Sequence, residues 1–230
     1  MLTIEMARCI AKISGDGNLY YRYIRYSNTC DTLREEFKED CKKEFGNINF
    51  TEGIGNSGTK FVQIHGKKNI ARFLEYLPDY RSEYIFVPNQ IKQANKNIKR
   101  NYLRAFYDDE GSPSLRLNKK TKEWKRSISL ASNSLQILQE IKEILIKYPI
   151  KTNKIVRSKP ESNYDKTFVL NITGKENFLL FKENIGFKHP SKIKRLDFII
   201  RSYNCTYSRN RSNFNNLLRD LARHKPHQNL

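Results

Sequence analysis

The stretch "TKFVQIHGKKNIARFLEYL" (59–77) returns later in the chain as "KTFVLNITGKENFLLFKENI" (166–185). Both read as a half-buried strand, a glycine turn and an amphipathic helix, so the chain uses one building unit twice. The order upstream recurs as well. A helical run ends on an acid and a glycine, "CIAKISGDG" (9–17) and "LRAFYDDEG" (103–111). Strands rich in Tyr, Arg, Ser and Lys follow (20–29 and 114–132), then a second amphipathic helix (31–46 and 133–148). For the first of these helices Asp31 is the expected N-cap and Gly46 the stop. Two copies are too few for a stacked array, so a pseudo-two-fold pair is expected. The fold class is α+β, with two αββαββα halves at 1–100 and 101–203 and a basic tail at 204–230 with room for a short helix.

The repeat places Asp16 and Glu110 in equivalent last turns. A carboxylate at that end faces the negative pole of the helix and is disfavoured by ~0.3–1 kcal/mol. Small residues at Ala7, Ala11 and Gly15, spaced four apart, give the first helix a face for close approach, and Ala105 serves the second. Packed with their C-terminal ends together, the helices bring Asp16 and Glu110 to one seam. Two carboxylates and helix-end carbonyls form a hard oxygen donor set, suited to Mg²⁺ rather than zinc. Such a cation offsets both the like-charge repulsion and the dipole penalty.

The rest of the composition suits a polyanionic partner. Lys and Arg number 43 against 24 Asp and Glu, a formal charge of +19, with 38% hydrophobic and 12% aromatic residues to build a core. That excess is far beyond what solubility requires, and nucleic acid fits it better than a membrane. No apolar stretch approaches the ~20 residues of a membrane span, and the opening residues do not read as a leader. Cys9, Cys30, Cys41 and Cys205 are scattered without CxxC pairing, so neither a zinc site nor a disulfide framework is expected. A reducing intracellular setting (cytoplasm, nucleoid or organelle matrix) follows. His65 and His189 sit in no metal or nucleophile motif and are read as ordinary hydrogen-bonding residues.

On these residues the chain resembles the LAGLIDADG homing endonucleases, in their single-chain, two-motif form. The stretches "VPNQIKQANKNIKRNYLRAFYDDEG" (87–111) and "FKENIGFKHPSKIKRL" (181–196) look like the family's lead-in to motif two and its recurring second-half element. The resemblance covers roughly residues 5 to 203. It implies a saddle of two antiparallel sheets across the major groove of double-stranded DNA. It also implies a monomer with internal dimer symmetry, and Mg²⁺-dependent hydrolysis of both strands with a staggered cut across the minor groove of a long asymmetric site. Mn²⁺ or Ca²⁺ would substitute in binding. Asp16 and Glu110 are then the catalytic acids, and the backbone carbonyls of Gly15 and Asp109 lie near the same metals. Asn28 holds active-site water, with Leu130 as its counterpart and Thr29 where some relatives carry lysine. Lys192, backed by Lys188, is the basic residue near one scissile phosphate, while Lys99 and Arg100 are candidates for the other. The alternative is the same scaffold kept for binding DNA or intron RNA without cutting. With no flanking segment resembling a protein-splicing element, a freestanding intron-encoded product is expected rather than an intein.

The groove face should come from strands at about 18–28, 54–65, 114–130 and 154–172. Arg and Lys can pair with guanine, and Asn or Gln with adenine, for ~1–3 kcal/mol of discrimination each. The expected readers are Tyr21, Arg25, Lys60, Gln63, Arg116, Asn118, Arg126, Arg157 and Asn171, with Lys120 beside Lys119 and Lys122 in a phosphate-gripping hairpin tip. A one-residue slip of register reverses which of these face the groove.

Overall fold

A computed structural model describes residues 1–118, 120–121, 123–158 and 167–204. The expectations for Lys119, Lys122, Cys205 and the tail from 205 onward lie outside the described residues. The first half runs α1 (Ile4–Asp16), β1 (Gly17–Leu19), β2 (Tyr23–Ser27), α2 (Asp31–Phe45), β3 (Phe50–Ile54), β4 (Lys60–His65) and α3 (Lys67–Leu74). A connecting segment with a short α4 (Asn89–Gln93) leads into the second half. That half runs α5 (Lys96–Glu110), β5 (Gly111–Leu117), β6 (Trp124–Ser132), α6 (Leu135–Ile146), β7 (Val156–Arg157), β8 (Phe168–Ile172), α7 (Lys175–Asn184) and α8 (Pro190–Arg201). The αββαββα order is present twice, and α8 is an addition to the second copy.

Each half holds a four-stranded antiparallel sheet, in the orders β1-β2-β4-β3 and β5-β6-β8-β7. One face of each sheet carries Ile24, Tyr26, Val62 and Ile64, or Ile128, Leu130, Leu170 and Ile172, all without solvent exposure. The helices cover that face, which leaves the other face of each sheet open to solvent, as strand alternation requires. Among the described residues no helix is long and apolar enough to cross a membrane.

The seam between the halves is made by α1 against α5. Met6, Ala7, Ile10, Ala11 and Ile13 meet Tyr102, Leu103, Ala105 and Phe106 in one continuous core. A Cβ built on Gly15 would lie 2.8 Å from the Cβ of Asp109, so only glycine lets the helix ends approach this closely. Polar groups cross the same seam. Lys12 is fully enclosed and donates to Glu36 Oε2 at 2.6 Å, while Arg104 of the second half reaches Glu36 Oε1, also at 2.6 Å. Arg8 joins them through Asp40 at 2.8 Å and Asn101 at 3.1 Å.

Three local expectations are corrected. The N-cap of α2 is Cys30, not Asp31. The Asn28 side-chain oxygen accepts from Cys30 N at 2.9 Å, which ends the extended backbone there and puts Asp31 inside the first turn, paired with Arg34. The strand expected at 54–65 begins only at Lys60, as β4, with Ile54 the last residue of β3, while 114–130 is the pair β5–β6 around the hairpin tip expected there. The counterpart of Asn28 is not Leu130. Gly17 pairs with Tyr26 and Gly111 with Leu130, so Leu130 answers to Tyr26, and Asn28 to Ser132. The second hairpin is longer than the first, and this displaced the alignment. Function also follows the corrected register: Ser132 Oγ accepts from Ser134 N at 3.1 Å, as Asn28 does from Cys30 N.

Candidate active site and groove face

Asp16 and Glu110 end α1 and α5, and each is followed by a glycine that turns directly into a strand. A Cβ on Gly17 would sit 2.4 Å from Ile13 Cα, and one on Gly111 2.5 Å from Tyr107 O. The turn out of each helix is that tight, which fixes the acid before it at the mouth of the seam. Two side chains of β2 and its exit then hold Asp16 and, in the second motif, Asp109. Asn28 Nδ2 donates to Asp16 Oδ2 at 2.7 Å and to Asp109 Oδ1 at 3.1 Å, bridging the two motifs. Tyr26 donates its hydroxyl to Asp109 Oδ1 at 2.7 Å. Asp109 Oδ2 is buried without a hydrogen-bond partner.

Lys192, in the first turn of α8, lays its ammonium on the C-terminal carbonyls of α5. It donates to Tyr107 O at 3.3 Å, to Asp108 O, and to Asp109 O at 3.1 Å. Asp108 anchors the segment that carries it, accepting from Lys188 N and His189 N, each at 2.9 Å. A cation at a helix C-terminus is favourable placement. It also occupies one of the carbonyls that the resemblance sets near a metal.

Crowded acids under partial burial hold protons more tightly than in water. Burial, then the charge of Asp16, pushes Glu110 up to about 7, against the pull of Lys192. Burial raises Asp16 too, opposed by Lys192 and by the Asn28 hydrogen bond. Asp109 is raised by burial and by Asp16, and Asp108 reaches about 6 through burial, opposed by its backbone donors. Lys192 is lowered by burial while all four acids hold it charged. Charges this interdependent make the seam the candidate functional site of the chain.

The donors fit a hard divalent ion. They are oxygens only, from the carboxylates of Asp16 and Glu110. Among the described residues no cluster of three or more His, Cys, Asp or Glu forms a metal cage. Two protein carboxylates with the remaining positions left to water and phosphate is the arrangement Mg²⁺ accepts.

Beside Asp16 opens a cleft of about 1220 Å³, lined by Asn18, Arg25, Ser27, Phe61 and, from the connecting segment, Arg81 and Glu83. The open face of the first sheet carries Arg25 and Gln63, which are paired: Arg25 donates to Gln63 Oε1 at 2.8 Å and stacks over Phe61 at 4.2 Å. Tyr21 projects from the β1–β2 turn, 77% exposed. On the second sheet Arg116 pairs across from Lys125, and Asn171 from Ser129, whose hydroxyl donates to it at 2.6 Å. These share the open face. Lys60 lies three residues from Gln63 and so points the other way, 3.5 Å from Asp31. Arg126 has the parity of Ile128 and turns to α8, donating to Ser202 Oγ at 2.8 Å and stacking on Tyr203 at 4.3 Å. Arg157 is exposed on edge strand β7 opposite Phe168, a core-side register. Asn118 closes the hairpin turn, accepting from Lys120 N at 3.0 Å, which leaves Lys120 at the exposed tip. Lys99 and Arg100 lie near the start of α5, at the end opposite Glu110.

Sequence reasoning missed Tyr26, Asp108 and the Asp109 side chain. The run Asp108-Asp109-Glu110 was the available clue, three acids at a helix end in a basic chain.

Comparison with known proteins agrees with this architecture. Two curated relatives come from Methanocaldococcus jannaschii. Glutamine–fructose-6-phosphate aminotransferase (isomerizing) is 28% identical over 204 residues, covering 86% of this chain and 18% of the relative. Replication factor C small subunit is 25% identical over 205 residues, covering 87% of this chain and 10% of the relative. The chain thus spans less than a fifth of either. Among solved structures, I-DmoI in complex with DNA and Ca superposes with a TM-score of 0.59 at 14% identity, covering 84% of this chain and 96% of that one. The homing endonuclease I-WcaI bound to its DNA recognition sequence gives 0.56 at 15% identity, covering 83% and 85%. Residues 97–186 match the family model of the LAGLIDADG-like domain. With one such unit matched and a second built on the same plan, the chain carries a LAGLIDADG-like domain in its second half and has the two-repeat fold of the single-chain homing endonuclease structures.

Proposed function

We propose that the protein is a monomeric, site-specific DNA endonuclease of the homing type, cutting both strands of a long asymmetric duplex with a staggered break across the minor groove. The observation that carries this reading is the meeting of the two motif acids at one seam, where the charge of Asp16 acts directly on Glu110 and Asn28 ties Asp16 to Asp109 of the second motif. A protein that only bound DNA would gain nothing from setting these carboxylates against phosphates. Asp16, Glu110 and oxygens of Gly15 and Asp109 would hold Mg²⁺, with Mn²⁺ or Ca²⁺ as substitutes in binding. Bound there, the ion would lower the pKa of water and offset charge on the scissile phosphate. Asn28 orients Asp16, and Lys192 presents a positive charge beside Glu110. Arg25, Arg116 and Asn171 lie on the open sheet faces, where base edges would be read, with Gln63, only 6% exposed, supporting Arg25, and Tyr21 and Lys120 would contact the backbone.

The relatives support an activity that belongs to the module itself. An aminotransferase and a replication factor share no chemistry by name, yet each contains a segment matching most of this chain. The test is incubation with Mg²⁺ and a randomised duplex library, native protein against Asp16→Asn. Cleaved duplexes above the mutant's level are expected. Selective binding with no cleavage by either protein would favour a non-cutting DNA or intron-RNA binder.

A further inference from the structure

The second half supplies Lys192, which faces Asp16 as well as Glu110, while on the strands of the first half Arg25 lines the cleft beside Asp16 but is held by Gln63 and Phe61. The connecting segment supplies another cation. Gly66 and Gly174, both with positive φ (111° and 91°), start α3 and α7 and fix the alignment of the two halves there. Asn69 and Asn177 confirm it: each donates back to the carbonyl just ahead of its glycine, at 2.7 Å and 2.8 Å. Counted from these glycines, Arg81 takes the place of His189, one helical turn ahead of Lys192. The segment that bears Lys192 in one half therefore bears Arg81 in the other. Arg81 lines the same cleft as Asp16.

The segment is also held in place. Tyr80 is buried and donates to Phe73 O at 3.1 Å, in the first half. On the other side Ile85 is 2% exposed and its carbonyl accepts from Ser134 Oγ at 2.7 Å, in the second half. Val87 N donates to Glu140 at 2.7 Å. Residues 81–84 form an exposed tip between these anchors, with the Arg81 side chain 70% exposed. Its guanidinium donates through Nε to Asp79 Oδ2 at 2.8 Å and stacks on Tyr84 at 4.6 Å. Asp79 is thus a removable partner, and a phosphate offers the same bidentate acceptor geometry with more charge.

We propose that Arg81 is the phosphate-contacting residue of the Asp16 half, exchanging Asp79 for a DNA phosphate when duplex enters the cleft. The strand-resolved part of this inference rests on the endonuclease reading, and the test separates the two. Duplex would be selected by binding in Ca²⁺, then cloned in supercoiled plasmid and given Mg²⁺. Arg81→Ala should slow cutting of one strand by about 10²-fold, while the other changes by less than about threefold, so nicked circle accumulates. Arg81→Lys should recover part of that rate, and Lys192→Met should leave the opposite strand uncut. Equal slowing of both strands, or no slowing, overturns the proposal. If the native protein does not cut at all, the endonuclease reading fails, and binding alone decides. Arg81→Ala should then lower the salt slope of affinity by about 0.9, the value of one phosphate contact, and an unchanged slope overturns it.

Discussion

The two halves share a backbone plan but give equivalent positions different work. Position seven of the motif is Gly15 in one half and Asp109 in the other, and the carboxyl of the second fills the hollow left by the first. Asn28 reaches across to both motifs, whereas Ser132 in its place serves only its own chain turn. Glu36 and Glu140 stand at the same place on α2 and α6. Glu36 gathers Lys12 and Arg104 at the seam, and Glu140 secures Val87 N and Lys92 of the connecting segment. Symmetry of the scaffold therefore does not mean symmetry of the chemistry. The first half supplies the side chains that organise the centre, and the second supplies the extra helix and its lysine.

The comparison can be broken most forcefully at the paired glutamates. Glu36→Gln leaves Lys12 enclosed without its ion pair and should cost about 3–5 kcal/mol, while Glu140→Gln should cost about 1 kcal/mol. Urea midpoints at unchanged m-value read both. Similar losses would show that the seam cluster has no special weight.

The acids should differ next in their pH dependence. Glu110 binds its proton more tightly in the folded protein (about 7) than at its ordinary value of 4.5. The folded state then holds the extra proton between those limits, so this group's contribution to metal-free stability declines as pH rises from 4.5 to about 7. Each tenfold in proton affinity is worth about 1.4 kcal/mol, giving a decline of up to about 3 kcal/mol. Glu110→Gln should flatten the stability profile in that window more than Asp16→Asn does. Identical profiles would contradict the assigned environment.

Gly15→Ala comes third. Its Cβ meets Asp109 Cβ at 2.8 Å, so the variant should lose about 1–3 kcal/mol, and adding Asp109→Gly should restore most of it. Additive effects of the two changes would mean that the residues do not share one space. The finest distinction is Asn28 against Ser132. Asn28→Ala should lower the cleavage rate by about 10- to 100-fold, or 1.4–2.7 kcal/mol of barrier. Ser132→Ala should leave the rate near native and cost about 0.5–1.5 kcal/mol of stability.

The duplicated plan and the two motif acids were legible in the sequence, because a helix that ends on an acid and a glycine is a local pattern and it occurs twice. Three things were not legible. The counterpart of Asn28 depends on hairpin length, and the longer β5–β6 ladder shifted Ser132 out of alignment. The facing of Lys60 and Arg126 depends on strand parity, which pairing alone fixes and which composition does not carry. The Tyr26–Asp109 contact joins residues from opposite halves, so no periodicity within either half could announce it.

The glycine-against-acid fit at the seam has a consequence for how such a protein can arise and be rebuilt. A carboxy-terminal lobe meeting its own duplicate would force two aspartates into one gap, and an amino-terminal lobe doing so would leave the gap vacant. Severed into two polypeptides, the lobes should therefore recombine as unlike partners. Chimeras that exchange a lobe would have to carry this single interlocking position with them.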